Sequence, residues 1–118
     1  PICHNGDGLP FELWTKIASP IWMEISESDT LQFRSAKGEH DERHITPTQL
    51  KAIEWSYRLW TNEGDTIFSP FAGIGSELYQ AIKMNRKAIG TELKESYYKA
   101  AVKNLTDCVQ QKKQLTII

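Results

Sequence analysis

The stretch Ser69-Pro70-Phe71-Ala72-Gly73-Ile74-Gly75-Ser76, followed by Ala88-Ile89-Gly90-Thr91-Glu92, limits this chain more than any other feature. The first stretch reads as a strand that runs into a glycine turn and then a helix. The second reads as a further strand that ends on a carboxylate. Gly73 and Gly75 let the backbone approach a ligand with no Cβ in the way. The helix opened by Ser76 aims its free N–H groups and the positive end of its dipole at that ligand. A carboxylate about 20 residues on, at the tip of the next strand, is placed to take the two hydroxyls of a ribose. Such a layout suits an adenosine-containing cofactor.

The details of the turn narrow the choice. The dinucleotide fingerprint asks for a small residue three positions after the second glycine, and Leu78 stands there. The turn also lacks the Gly-Lys-Ser/Thr ending of a P-loop. A ribose-bearing ligand without phosphates fits better, and S-adenosylmethionine is the common one. The pattern alone leaves an alternative open: a glycine turn in an ordinary βαβ unit, with Glu92 a solvated strand end.

Around this motif the chain alternates helices and strands. Thr46-Pro47-Thr48-Gln49 has the form of a capping box, with Pro47 at the first helical position. Leu50, Ile53, Tyr57 and Trp60 then recur at helical spacing. Strands are expected over Thr66–Pro70 and Lys87–Glu92. Between them a helix over Glu77–Met84 turns Leu78, Ala81 and Ile82 inward. A last helix, Glu95–Leu105, buries Tyr98, Ala101, Val102 and Leu105, and Gln114–Ile118 reads as a third strand or a frayed end. The fold class is α/β, with a parallel sheet and flanking helices. Ligands of such sheets bind beyond the C-terminal ends of the strands.

Residues 1–45 form an N-terminal extension, and residues 46–118 the cofactor-binding portion. Phe11–Ile25 is dense in large apolar residues, divided by Pro20. A short helix before Pro20 and a strand over Ile21–Ile25 are expected, with another short strand over Thr30–Arg34. Trp14 and Trp22 read as core residues, although base stacking would use the same side chains. His40 and His44 would share a face of a helix and could hold zinc. The Thr46 cap starts the helix after them, so a charged loop is the better reading, and no metal site is expected. Cys3 and Cys108, far apart and outside any CxxC pair, fit free thiols in a cytoplasmic protein. The net charge of −1 gives no global field for nucleic acid. No apolar run reaches membrane-spanning length, so no membrane partner is expected.

Together these residues resemble the DNA methylases that modify adenine N6 or cytosine N4. The family's cofactor loop usually reads Asp-Pro-Phe-x-Gly-Ser-Gly-Thr, similar to Ser69–Ser76 here. Its next strand resembles Ile89–Glu92, and the helix after it carries tyrosine and alanine, as Tyr97, Tyr98, Ala100 and Ala101 do. In circularly ordered members a His-Pro-Thr-Gln-Lys-Pro segment precedes the cofactor loop, and His44–Leu50 is similar to it. The resemblance covers roughly residues 9–105 and is strongest to phage-type or prophage-type members. It implies a partial Rossmann-like methyltransferase sheet and S-adenosylmethionine as cofactor. Phe71, Ala72, Gly73, Gly75, Ser76, Glu92 and Leu93 are its implied contacts. It implies DNA as the substrate of the parent protein.

Two departures matter. Ser69 stands where the family has aspartate. The catalytic Asp/Asn/Ser-Pro-Pro-Tyr/Phe segment is absent, since no Pro-Pro occurs in the chain. No catalytic residue is therefore assigned. The expected reading is the cofactor half of a methylase, completed by the missing N-terminal half or by a second copy. The alternative is a non-catalytic module that keeps the fold.

Overall fold

The computed structural model describes residues 9–32 and 46–117. Within them the order is α1 (Phe11–Ile17), α2 (Leu50–Trp60), β1 (Thr66–Ser69), α3 (Ser76–Lys83), β2 (Lys87–Gly90) and α4 (Glu95–Ile117). β1 and β2 pair in parallel, with Thr66 opposite Lys87 and Ser69 opposite Gly90. The α/β class expected from the alternating pattern is thus present as a two-stranded parallel sheet among the described residues.

α3 is the centre of the packing. It lies on both strands and meets α2 on one side and α4 on the other. Leu78 and Ala81 are buried, with Ala81 fully so. Leu78 does not hold the helix off the sheet as a bulky residue there would. Gly90 makes room for it: a Cβ on Gly90 would fall 2.5 Å from Leu78 Cδ1. α4 adds Ala101 and Cys108 to this core. Lys112 extends the contact by donating from Nζ to the Ile82 carbonyl at 2.7 Å.

The N-terminal segment packs on α2. Trp22 meets Trp55 edge-on, with ring centroids 5.4 Å apart, and donates its indole N–H to the Ile17 carbonyl at 2.9 Å. Trp22 is therefore a packing residue as expected. Trp14 is only half covered, with 47% of its surface exposed.

Several expectations need correction. Residues 21–25 are irregular and form no strand, so they do not cover an edge of the sheet. Residues 30–32 form no strand either, while the remainder of that expected element lies outside the described residues. α2 begins at Leu50, not at Pro47. The cause is tertiary: the Leu50 N–H donates to the Asp29 carbonyl at 2.8 Å and the Lys51 N–H to Asp29 Oδ2 at 2.9 Å. Asp29 thereby fills the role given to Thr46. Trp60 lies outside the buried stripe, 64% exposed, and Trp55 takes its place. α4 runs on to Ile117, so residues 114–117 are helical and supply no third strand. Tyr98 and Val102 on that helix are exposed.

Candidate functional site

The site lies where β1 and β2 end. The Thr91 N–H donates to the Ser69 carbonyl at 3.0 Å, and the Ala72 N–H to the Thr91 carbonyl at 2.9 Å. These bonds carry the pairing of the strands past their ends. The Gly75 N–H donates back to the Ala72 carbonyl at 2.7 Å and closes a four-residue turn. Gly73 (φ +55°) and Gly75 (φ +89°) occupy the left-handed region, where a Cβ is strained. α3 starts immediately after, with Gly75 as its N-cap and no side chain capping it. Its first N–H groups and the positive end of its dipole face the turn.

The two glycines do different work. A Cβ on Gly73 would meet nothing within 4 Å, so the space over Gly73 is open. A Cβ on Gly75 would fall 3.2 Å from Ala101 Cβ. Gly73 therefore faces the open side, and Gly75 lets α4 come close.

Glu92 and Gly73 are in direct contact. Glu92 Oε2 accepts the Gly73 N–H at 2.7 Å, and Oε1 accepts the Lys94 N–H at 2.8 Å. Each carboxylate oxygen has a second lone pair, so two acceptor positions remain for hydroxyl donors. The Lys94 ammonium lies 4.3 Å from the centroid of the Tyr97 ring, beside this loop.

The other residues singled out from the sequence divide into walls and lips. Ala72 and Ser76 are buried in the floor of the turn. Phe71, just before the turn, is 85% exposed, and Leu93, just after Glu92, is fully exposed. Two large apolar side chains at the lips of an open turn offer contact to a flat apolar ligand group or to another polypeptide.

Four contributors lie outside the contacts that the resemblance implies. Thr91 supplies the carbonyl for Ala72, and Gly90 the space beneath Ala72, whose Cβ would be 3.0 Å from a Cβ there. Ala101 packs on Gly75, and Asn104 donates from Nδ2 to the Ile74 carbonyl at 2.9 Å. A polar residue three positions after a buried alanine, on the same face of a helix, is the signal that could have found Asn104.

Elsewhere, Cys108 is buried against α3 and burial pushes its thiol up, which suits packing and not nucleophilic chemistry. Cys3, His40 and His44 lie outside the described residues. Among the described residues no group of His, Cys, Asp or Glu is arranged to hold a metal ion. No described helix is long and apolar enough to cross a membrane.

Comparison with known proteins gives a consistent picture. The sequence model of the DNA methylases matches residues 9–103. The orphan methyltransferase M.BamHII of Bacillus amyloliquefaciens is 39% identical over 102 residues, which are 86% of this chain and 34% of that protein. The chain thus spans about a third of the length of this curated relative. A Thermus thermophilus protein assigned to the DNA modification methylases, solved with S-adenosyl-L-methionine, superposes with a TM-score of 0.65 at 26% identity. The match covers 86% of this chain and 34% of that one. A second crystal structure of the same protein gives a TM-score of 0.64 over 86% of this chain and 35% of that one.

Proposed function

Because this chain belongs to the DNA methylase family, we propose that it is the S-adenosylmethionine-binding part of a DNA adenine-N6 or cytosine-N4 methyltransferase. The observation that carries the reading is the contact between Glu92 and Gly73, at the C-terminal ends of two adjacent parallel strands. In that place a carboxylate with free lone pairs stands beside an open glycine. The donor set fits the cofactor. Glu92 takes the ribose hydroxyls, the open face of Gly73 admits the ligand, and Phe71 and Ala72 line the methionine end. Leu93 lies against the adenine. Gly75 and Ser76 hold the turn and the start of α3 behind the ligand. The bound cofactor supplies an activated methyl group on sulfur. The complex of the Thermus thermophilus relative supports the same choice of ligand.

The fold reading follows: a partial Rossmann-like methyltransferase sheet. Its outer surfaces support a need for completion. Phe68 and Ile89, paired across the strands, are 61% and 57% exposed. The N-terminal half of a methylase is the partner that fits, with a second copy of this chain as the other candidate. DNA is the substrate of the assembled enzyme.

Catalysis by this chain alone is not expected. Base methylation needs a bound donor, an extruded base and acceptors that aim the amino lone pair at the methyl group. The chain has a place for the first and no Pro-Pro-aromatic segment for the third. Its charge of −1 gives little grip on phosphates. The experiment is transfer of tritiated methyl groups to unmethylated DNA, with and without an N-terminal methylase half in trans. The expected result is incorporation only on complementation. Incorporation by the isolated chain would overturn the claim, and none in either arm would favour a non-catalytic module.

A further inference from the structure

The turn from Ala72 to Gly75 is held from two sides. Thr91 and Glu92, beyond β2, hold the N–H groups of Ala72 and Gly73. The second half is held by α4, through Ala101 against Gly75 and Asn104 on Ile74. Ala101 and Asn104 are one helical turn apart, so a single stretch of α4 meets two successive residues of the turn.

The Asn104 bond has a particular mechanical effect. The Ile74 carbonyl and the Gly75 N–H belong to one rigid peptide plane. That N–H closes the turn on the Ala72 carbonyl at 2.7 Å. Asn104 holds the opposite end of the plane at 2.9 Å. With both ends held, the plane cannot rotate about its flanking bonds without breaking a hydrogen bond. Gly73, the residue with the open face, lies just upstream in the same turn, so this plane anchors the second half of the turn that carries it. Gly75 has no Cβ to resist rotation, and Ile74 is buried, so its carbonyl without a partner would carry a desolvation penalty.

Helix packing alone does not require this side chain. α4 is seated on α3 by Cys108, whose thiol lies 3.7 Å from the Tyr79 carbonyl, and by Lys112 on the Ile82 carbonyl. We propose that Asn104 is a positioning residue for the cofactor turn, acting through the Ile74–Gly75 peptide. The proposal rests on the reading of this turn as the S-adenosylmethionine site.

The test compares Asn104→Leu, which keeps the bulk and removes the donor, with Cys108→Ala. The second variant loosens the same helix one turn further on and leaves the turn alone. Melting temperature, calorimetric titration with S-adenosylmethionine and the Gly73 and Gly75 amide resonances are measured for each. Asn104→Leu is expected to weaken binding about tenfold, the factor that loss of one ordinary hydrogen bond gives. It should also move both glycine resonances in the ligand-free protein. Cys108→Ala should lower the melting temperature and leave the affinity and both resonances at wild-type values. Wild-type affinity in Asn104→Leu, or an equal loss in Cys108→Ala, would overturn the proposal. If the wild type takes up no S-adenosylmethionine, the cofactor reading fails and the resonances alone decide: moved only in the Asn104 variant, they support positioning; unmoved, they refute it. Should Asn104→Leu not fold, Asn104→Ser, too short to reach Ile74, is read by the same criteria.

Discussion

Gly90 is packed more tightly than either glycine of the turn. A Cβ there would lie 2.5 Å from Leu78 Cδ1, 3.0 Å from Ala72 Cβ and 3.3 Å from the Ser69 carbonyl oxygen. Leu78 Cδ1 ends a flexible side chain and can move, but Ala72 Cβ and the Ser69 carbonyl are fixed to the backbone. Relief must therefore come from the strand or from the turn. Gly90→Ala is expected to cost about 1–3 kcal/mol, the usual range for overpacking, as a lower midpoint in urea with unchanged slope. An unchanged midpoint would mean that the core at Leu78 has slack. The same contact explains how this chain departs from the dinucleotide pattern. The bulk that usually separates helix from strand is Leu78, and the neighbouring strand gives up a side chain to admit it. A sequence pattern confined to the turn does not reveal this, because the compensating glycine stands 12 positions further on, in another strand.

At the scale of elements, α2 is tied to α3 by one hydrogen bond with a pH signature. Tyr57 donates from its hydroxyl to the Glu77 carbonyl at 3.0 Å. Burial, with the Glu77 charge adding to it, pushes the Tyr57 phenol up to about 12. The folded state therefore holds this proton more tightly than the unfolded chain, whose tyrosines titrate near 10. Its contribution is complete below about pH 10 and is lost as pH rises towards 12. Wild-type stability should fall over that window more steeply than that of Tyr57→Phe, which has no proton to lose there. Equal slopes in chemical denaturation at pH 9 to about 11.5 would contradict the assignment. Elements were legible where their cause is local. Strands over residues 66–69 and 87–90 and the helix between them follow from short apolar runs, helical spacing and glycine punctuation. They were illegible where the cause is distant. Asp29 captures the first N–H groups of α2 and moves its start past Thr46 and Pro47. Residues 114–117 have strand-like composition, but a helix satisfies its own backbone while a lone strand needs a neighbour. The hydroxyl of Thr116 bonds back to the Lys112 carbonyl at 2.8 Å, as helical threonines do.

At the scale of the molecule, the sheet of the described residues has two strands. Two strands cannot enclose a core, and here α3 covers one face while Phe68 and Ile89 on the other stay exposed. Pairing with β1 uses the N–H groups of Lys87 and Thr91, so by alternation Ala88 and Gly90 present their backbone groups to the outer edge. Tyr98, Val102 and Val109 add exposed apolar surface along α4. Among the described residues these are the surfaces that the proposed completion by an N-terminal methylase half would cover. The Ala72–Gly75 turn, by contrast, is held by described residues, from the loop after β2 and from α4. The carboxylate and the open glycine were both legible in the sequence, being adjacent strand ends in any βαβ unit. Ala101 was legible as a buried position of the last helix, but its seat on Gly75 and the Asn104 bond were not, since both reach the turn from that later helix. Binding should be measurable but weak, because the pocket has few walls and affinity depends on enclosure. In the proposed site S-adenosylmethionine binds over Gly73 with its ribose on Glu92. Calorimetric titration of the wild type and of Glu92→Ala with S-adenosylmethionine tests it most directly. Saturable uptake by the wild type is expected, and in Glu92→Ala a loss of about tenfold or more, as when charge-assisted hydrogen bonds are removed. Saturable binding of equal strength by both proteins would remove Glu92 from the site.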